Sequence, residues 1–250
     1  MSSKNYWVVG NHAVRTLLKL SPERVLKVLS VGRFNNDQED IALLLHNLGL
    51  KLEVLDKQRL AAVVESDQHQ GIAVQVRAKS ELGDRELAQR IDAGSSSTPW
   101  LFLVLDQVQD PHNLGACLRT ADAAGAHGLI VPKDNSAPLS PIVHKVASGA
   151  AETVDIFRVS NLSRSLDNMK QKGIWLLGTS DKATDSLYAQ DMRGPIALVM
   201  GAEGKGMRRL TEQACDVLMR LPMAGDCVSS LNVSVATGVC LYEALRQRMV

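Results

Sequence analysis

At 250 residues the chain is long enough for one large domain or two modest ones. An apolar fraction of 45% with 22% charged residues is that of an ordinary globular protein, and a net charge of +1 gives no electrostatic argument for a polyanion partner. No run of about 18 apolar residues occurs, Lys4 precedes no signal-like stretch, and Cys117, Cys215, Cys227 and Cys240 lie far apart without zinc spacing. These features predict a cytoplasmic protein with free, mostly buried thiols, no metal site and no membrane contact.

Residues 6–77 alternate short apolar runs with helical patterns. "YWVVG" predicts a strand leading to a helix capped by Asn11, and "VLKVLSVG" a second strand. "DIALLLHNLG" predicts a helix closed by Gly49, "KLEVLD" a strand, "KQRLAAVV" a short helix and "GIAVQV" a last strand. The result is a small α/β domain over 1–77. From 78 to 99 the composition turns charged, then small and polar, and predicts a linker with a solvated helical turn or two around Glu86 to Ile91.

The remainder, 100–250, opens with "WLFLVLD", an apolar run fit for a strand buried on both faces. Further strands follow at "GLIVP", "TVDIFRV", "IWLLGTS", "IALVMG" and "VLMRLP". Between them lie helices at "NLGACLRTADAAG", "SPIVHKVASGAA", "LSRSLDNMKQKG" and "GMRRLTEQAC". That alternation predicts a mostly parallel sheet covered by helices on both faces, with ligands beyond the carboxyl ends of the strands. The final helix follows Ser229, Ser230 and Asn232, and its Val235, Val239, Tyr242, Leu245 and Met249 recur at steps of three and four. It is apolar or small on nearly every side as far as Leu241, so the sheet is expected on one flank and a second subunit on the other.

Three loops hold the candidate chemistry. "GAEGKGM", Gly201 to Met207, links a strand to a helix, yet its spacing fits neither a phosphate-binding loop nor a dinucleotide fingerprint, since Arg209 stands where a third glycine belongs. It is instead a flexible turn with one carboxylate, Glu203, at its centre. Asn113 sits at a helix start, as a cap or as a functional amide, and Arg119 lies a turn and a half further on. His112 and His144 have no partner at fixed spacing and are read as surface residues.

Three segments, "DQVQDPHNLGACLRTADAAG", "LVMGAEGKGM" and "LPMAGDCVSSLNVSVATGVCLYEALRQ", together resemble the SpoU/TrmH family of RNA ribose 2′-O-methyltransferases, and with "HQGIAVQV" the likeness spans nearly the whole chain. The resemblance implies a SPOUT-type C-terminal domain with a trefoil knot, against the usual rule that chains do not thread loops. It implies S-adenosylmethionine held at Thr179, Met200, Gly201, Leu221, Met223, Ser230 and Leu231, and a homodimer formed through the knotted domains. The N-terminal domain resembles a ribosomal-protein-like module that grips RNA. The family pattern assigns Arg119 to the reacting hydroxyl and neighbouring phosphate, with Glu203 orienting it and Asn113, Ser230 and Asn232 completing a polar ring. The likeness is nearest to members that methylate a guanosine ribose in 23S rRNA. Alternatives are a tRNA 2′-O-methyltransferase of the same family and an inactive RNA-binding or ribosome-assembly factor.

Overall fold

The structure is a computed structural model that describes residues 5–249 apart from 33, 35, 78, 80, 81, 96, 97, 226 and 229. In chain order the first elements are β1 (Tyr6–Val9), α1 (Asn11–Leu20), β2 (Val25–Val31), α2 (Glu39–Asn47), β3 (Leu52–Leu55), α3 (Lys57–Val64), β4 (Ile72–Val76) and α4 (Asp84–Asp92). Next come β5 (Leu101–Asp106), α5 (Pro111–Ala123), β6 (Gly128–Pro132), α6 (Pro141–Ala147), α7 (Ala150–Thr153), β7 (Ile156–Val159) and α8 (Leu162–Gln171). The chain ends with β8 (Trp175–Thr179), β9 (Asp185–Ser186), β10 (Ile196–Gly201), α9 (Arg209–Ala214), β11 (Val217–Arg220) and α10 (Val233–Arg248).

Two compact units emerge: residues 1–80 with 141–153, and residues 81–140 with 154–250. The first contains a four-stranded sheet of order β1-β4-β2-β3, antiparallel except for the β2–β3 pair. Val14, Leu17 and Leu18 on one face of α1 pack with Ile41 and Leu45 of α2 against Val28, Ile72 and Val74 of the sheet. Asn11 is not the cap of α1. Gly10 occupies that position, and the Asn11 side chain instead accepts a hydrogen bond from Gln38 Nε2.

Residues 141–153, placed by sequence in the second domain, pack in the first unit because their polar groups are consumed there. Glu152 is buried, paired with Arg24, and accepts a hydrogen bond from Tyr6 Oη at 2.9 Å. The His144 ring stacks on Tyr6 with centroids 4.0 Å apart. His144 is therefore a half-buried member of a polar cluster with Tyr6, Arg24 and Glu152 rather than a surface histidine, and loss of water around the ring pushes its pKa from 6.5 down to about 4. The α6 helix breaks at Ser148 and Gly149, both at positive φ, before α7 resumes.

The second unit is built on a seven-stranded sheet of order β7-β6-β5-β10-β8-β11-β9, every adjacent pair parallel. Phe102 and Val104 of β5 and Ala197 and Val199 of β10 share one core with Leu162, Leu166 and Met169 of α8. Alternate residues, Leu103 and Leu105 of β5 and Leu198 and Met200 of β10, are equally buried and turn to the opposite face. There α10 packs on α5 and β10, with Cys117 Sγ 3.5 Å from Thr237 Oγ1.

The stretch 78–99 is more than a linker. Its α4 buries Leu87 and Ile91 in the same core as α8, and Glu86 turns back to accept the Gly83 N–H at 2.8 Å. Asp84 accepts the backbone N–H of Ser160, and Leu82 O accepts that of Arg158. Apolar spacing of four residues in an otherwise charged segment carried that signal, and charge masked it.

Candidate active site at three strand ends

Each polar group of the site owes its position to the end of a regular element. The first turn of α5 is capped by Asp110, whose carboxylate accepts the N–H groups of His112 and Asn113. With that duty filled, the Asn113 side chain is free to act elsewhere, which removes the reading of Asn113 as a simple cap. Its Oδ1 accepts from Asn232 Nδ2 at 3.0 Å.

Asn232 caps α10. Its Oδ1 accepts the Ser234 backbone N–H at 2.9 Å and the Ser234 hydroxyl at 2.7 Å, and its Nδ2 donates to Glu203 Oε2 at 3.2 Å as well as to Asn113. One carboxamide thus joins the start of α5, the start of α10 and the loop after β10. Carbonyl and amino ends are both engaged, so the orientation of the group is determined by its partners.

Glu203 reaches this position because the loop after β10 folds tightly on itself. Ala202 and Gly206 form an antiparallel bridge, and Gly204 and Gly206 adopt positive φ. A Cβ on Gly201 would lie 2.2 Å from the Gly206 carbonyl carbon, so only glycine fits there. The base of the loop is fastened by a contact that sequence reading missed. Asp106, at the end of β5 and wholly buried, accepts the Arg208 backbone N–H, Nε and Nη2, each at 2.8 Å. Register brings Asp106 level with Gly201, which fixes the loop at both ends. The hint in sequence was a carboxylate ending a wholly apolar strand.

The strands expected to hold a cofactor are neighbours. β10 pairs with β8, and β8 with β11, all parallel, so their carboxyl ends share one edge. Thr179 Oγ1 donates to Val199 O at 3.4 Å and lies 3.7 Å from the Met200 sulfur. Met200 is buried, Leu221 and Leu231 are half-buried, and Met223 and Ser230 are exposed. Among the described residues of 222–231 no backbone N–H or C=O is paired within the chain. An unpaired backbone run beside part-exposed apolar side chains, at the end of a parallel sheet, fits an adenosine-bearing ligand held by main-chain groups. Ser229 lies outside the described residues.

Asn113, Glu203 and Asn232 are brought together; Ser230 and Arg119 are not hydrogen-bonded to them. Arg119, exposed on α5 about 9 Å along the axis from Asn113, makes no polar contact with any described residue. Burial raises the thiols of Cys117 to about 11 and Cys240 to about 12, which disfavours their nucleophilic thiolate forms. No group of three or more His, Cys, Asp or Glu suited to a metal occurs among the described residues.

The sequence profile of the SpoU rRNA methylase family matches residues 100–242, and a profile described as RNA 2′-O ribose methyltransferase substrate binding matches residues 7–82. The chain belongs to the SpoU rRNA methylase family. Among family relatives, the 23S rRNA (guanosine-2′-O-)-methyltransferase RlmB of Haemophilus influenzae is 50% identical over 244 residues, covering 97% of this chain and 98% of that protein. The Shewanella oneidensis protein of the same name is 49% identical over 242 residues, covering 96% of this chain and 97% of its own length. A crystal structure of an RNA 2′-O ribose methyltransferase, 28% identical, superposes with a TM-score of 0.78 over 99% of this chain and 90% of that one. The SpoU methyltransferase AviRb from Streptomyces viridochromogenes, crystallised with its cofactor AdoMet, shares the fold at 24% identity and a TM-score of 0.78, covering 98% and 91%. The family's methylase region therefore takes in the elements that bear the polar triad together with residues 141–153 of the first unit, and its substrate-binding region takes in the four-stranded sheet.

Proposed function

We propose that the chain transfers a methyl group from S-adenosylmethionine to the 2′-hydroxyl of a guanosine ribose in 23S rRNA. The observation that carries this reading is the joining of Asn113, Glu203 and Asn232 by a single carboxamide beside three parallel strand ends. Near-full-length relatives at about half identity, named for that activity, supply the substrate.

S-adenosylmethionine, when bound, supplies an electrophilic methyl group. Thr179, Met200, Gly201, Leu221, Met223, Ser230 and Leu231 would hold it through the backbone and apolar surface at the strand ends. Asn232 and Asn113 fix the Glu203 carboxylate, which orients Arg119 when RNA is bound. The Arg119 guanidinium holds the phosphate next to the reacting ribose and stabilises the negative charge that develops on the 2′-oxygen as its proton leaves. Arginine is unsuited to removing that proton, because its pKa exceeds about 12. Ser230, exposed beside the α10 cap, completes the polar rim. Positioning the ribose hydroxyl against the bound donor would supply much of the rate.

The methylase unit is read as a trefoil-knotted SPOUT domain that pairs with a second copy. The support for pairing is the exposed apolar stripe of α10, where Val235 is 52%, Tyr242 52% and Met249 77% exposed. The N-terminal unit binds the RNA, and the protein works in the cytoplasm, where rRNA is made and modified in bacteria. A filter assay with labelled methyl donor tests the function. Label should enter 23S rRNA; RNA retained without label would favour a binding or assembly factor, and label in tRNA alone a tRNA-directed enzyme.

A further inference from the structure

The loop after β10 is anchored to the strands on both sides of the one it leaves. In the sheet, β10 lies between β5 and β8. Arg208, at the far end of the loop, is bound to Asp106 at the end of β5. Met207, one residue earlier, packs over β8, where a Cβ at Gly178 would lie 2.9 Å from its Cε. The returning chain therefore straddles the end of β10 and presses on Gly201, where a Cβ would lie 2.3 Å from the Met207 nitrogen.

Between these anchors the loop has little freedom. Ala202 and Gly206 exchange backbone hydrogen bonds of 3.1 and 2.8 Å, which leaves Glu203, Gly204 and Lys205 as its tip. Glu203 is exposed, and among the described residues its hydrogen-bond partner is the Asn232 amide at 3.2 Å. A single bond at the long end of the normal range directs an exposed carboxylate only weakly. The position of Glu203 is thus inherited chiefly from the loop backbone.

Asp106 is wholly buried at the end of an otherwise apolar strand. In such a pair the loss of hydration offsets most of the attraction, so its net contribution to stability is small compared with apolar packing. What the carboxylate supplies is direction. Its Oδ2 accepts the Arg208 backbone N–H, while Oδ1 accepts Nε and Nη2, all at 2.8 Å, so main chain and side chain are fixed together.

We infer that Asp106 is a positioning residue for methyl transfer, acting through Arg208 to set where the loop places Glu203. A displacement at Arg208 passes through Met207 and the Gly206–Ala202 bridge to the carboxylate at the tip. The inference rests on the reading of the chain as a methyltransferase, and it adds to that reaction a residue outside the polar triad.

The test compares the full chain with Asp106→Asn, Glu203→Gln and the double variant. Asp106→Asn preserves the shape of the side chain and one acceptor oxygen, but removes the charge and the second acceptor. Single-turnover rate constants are measured with saturating donor and 23S rRNA fragment. Unlike the amplitude, such a rate constant does not depend on how much of the protein is folded. Asp106→Asn should slow transfer at least about tenfold in the otherwise unaltered chain, well within the roughly hundredfold that a 1 Å misplacement can cost. In the Glu203→Gln background the same change should cost less than about twofold, because the two residues act through one displacement. The NMR signal of the Asn232 side-chain amide should move in both single variants. Equal slowing in both backgrounds, an unchanged rate in Asp106→Asn, or an unmoved amide signal would overturn the role. If Asp106→Asn does not fold, Arg208→Lys, which retains the backbone N–H contact, takes its place in both comparisons. Absent transfer by the unaltered chain would sink the enzymatic reading instead, and the amide signal would still report whether Asp106 positions the loop.

Discussion

Asn232 Nδ2 donates to Asn113 Oδ1 at 3.0 Å, joining the first turn of α5 to the start of α10 across 119 residues of sequence. The same amide reaches Glu203 at 3.2 Å, so the side chain that caps the final helix also fixes the carboxylate of the methylase loop. One residue thus serves both the helix cap and the polar triad, and substitutions can separate the two roles.

Asn232→Asp retains the cap oxygen but replaces the shared donor with a charge that faces Glu203. The melting temperature should stay within a few degrees, while single-turnover methyl transfer falls at least tenfold. Asn232→Ala should lose both, with about 1 kcal/mol of stability removed with the cap. Chemical denaturation beside rapid-quench kinetics separates the two effects; equal transfer rates in all three proteins would remove the triad from the reaction.

The Asp106–Arg208 pair should respond unequally to truncation. Arg208→Ala strands a wholly buried carboxylate and is expected to cost about 3–5 kcal/mol. Asp106→Ala leaves an arginine whose side chain is already 39% exposed and can turn to water, so its cost should be smaller. Urea unfolding of the two variants checks the order, and a reversed order would mean the pair is not buried as described.

Acid should weaken the first unit through His144. Its folded pKa of about 4 lies below the ordinary 6.5, chiefly through burial, so the unfolded chain binds the proton more readily between those values. Stability from this group is complete above pH 6.5 and declines as pH falls towards 4, by roughly 3 kcal/mol in total. His144→Phe, which preserves a ring against Tyr6, should flatten that part of the stability profile. An unchanged slope between pH 6.5 and 4 would mean another group governs the acid response.

Arg119→Ala should abolish methyl transfer and leave the donor's dissociation constant within about twofold, because Arg119 is assigned to the RNA side of the centre. Titration calorimetry with S-adenosylmethionine provides the check. Donor binding lost in parallel would move Arg119 to the cofactor side.

The alternation of apolar strands with capped helices was legible because buried parallel strands and amphipathic helices leave distinct periods in the sequence. Glu203 between glycines and the polar start of α10 were legible for a similar reason, since both break an otherwise apolar pattern. Strand order was not: nothing local tells β10 to lie between β5 and β8. Long-range polar pairs were equally silent. Asp106 and Arg208 are 102 residues apart, and Arg248, whose guanidinium donates to the carbonyls of Met192, Pro99, Trp100 and Gly194, looks like any charged residue near a helix end. Asn113 stayed open between cap and functional amide in the sequence, and Asp110, three residues earlier, decides it by filling the cap role. Residues 141–153 were read with the second domain, and they pack in the first unit because Glu152 and His144 find their partners, Arg24 and Tyr6, more than a hundred residues away.

The most direct measurement is alkaline mapping of 23S rRNA after incubation with the protein and labelled S-adenosylmethionine. A methylated 2′-oxygen cannot attack its own phosphate, so the account predicts label confined to a single alkali-resistant linkage on the 3′ side of a guanosine. Label released entirely in alkali-labile nucleotides would place the methyl group on a base and contradict it.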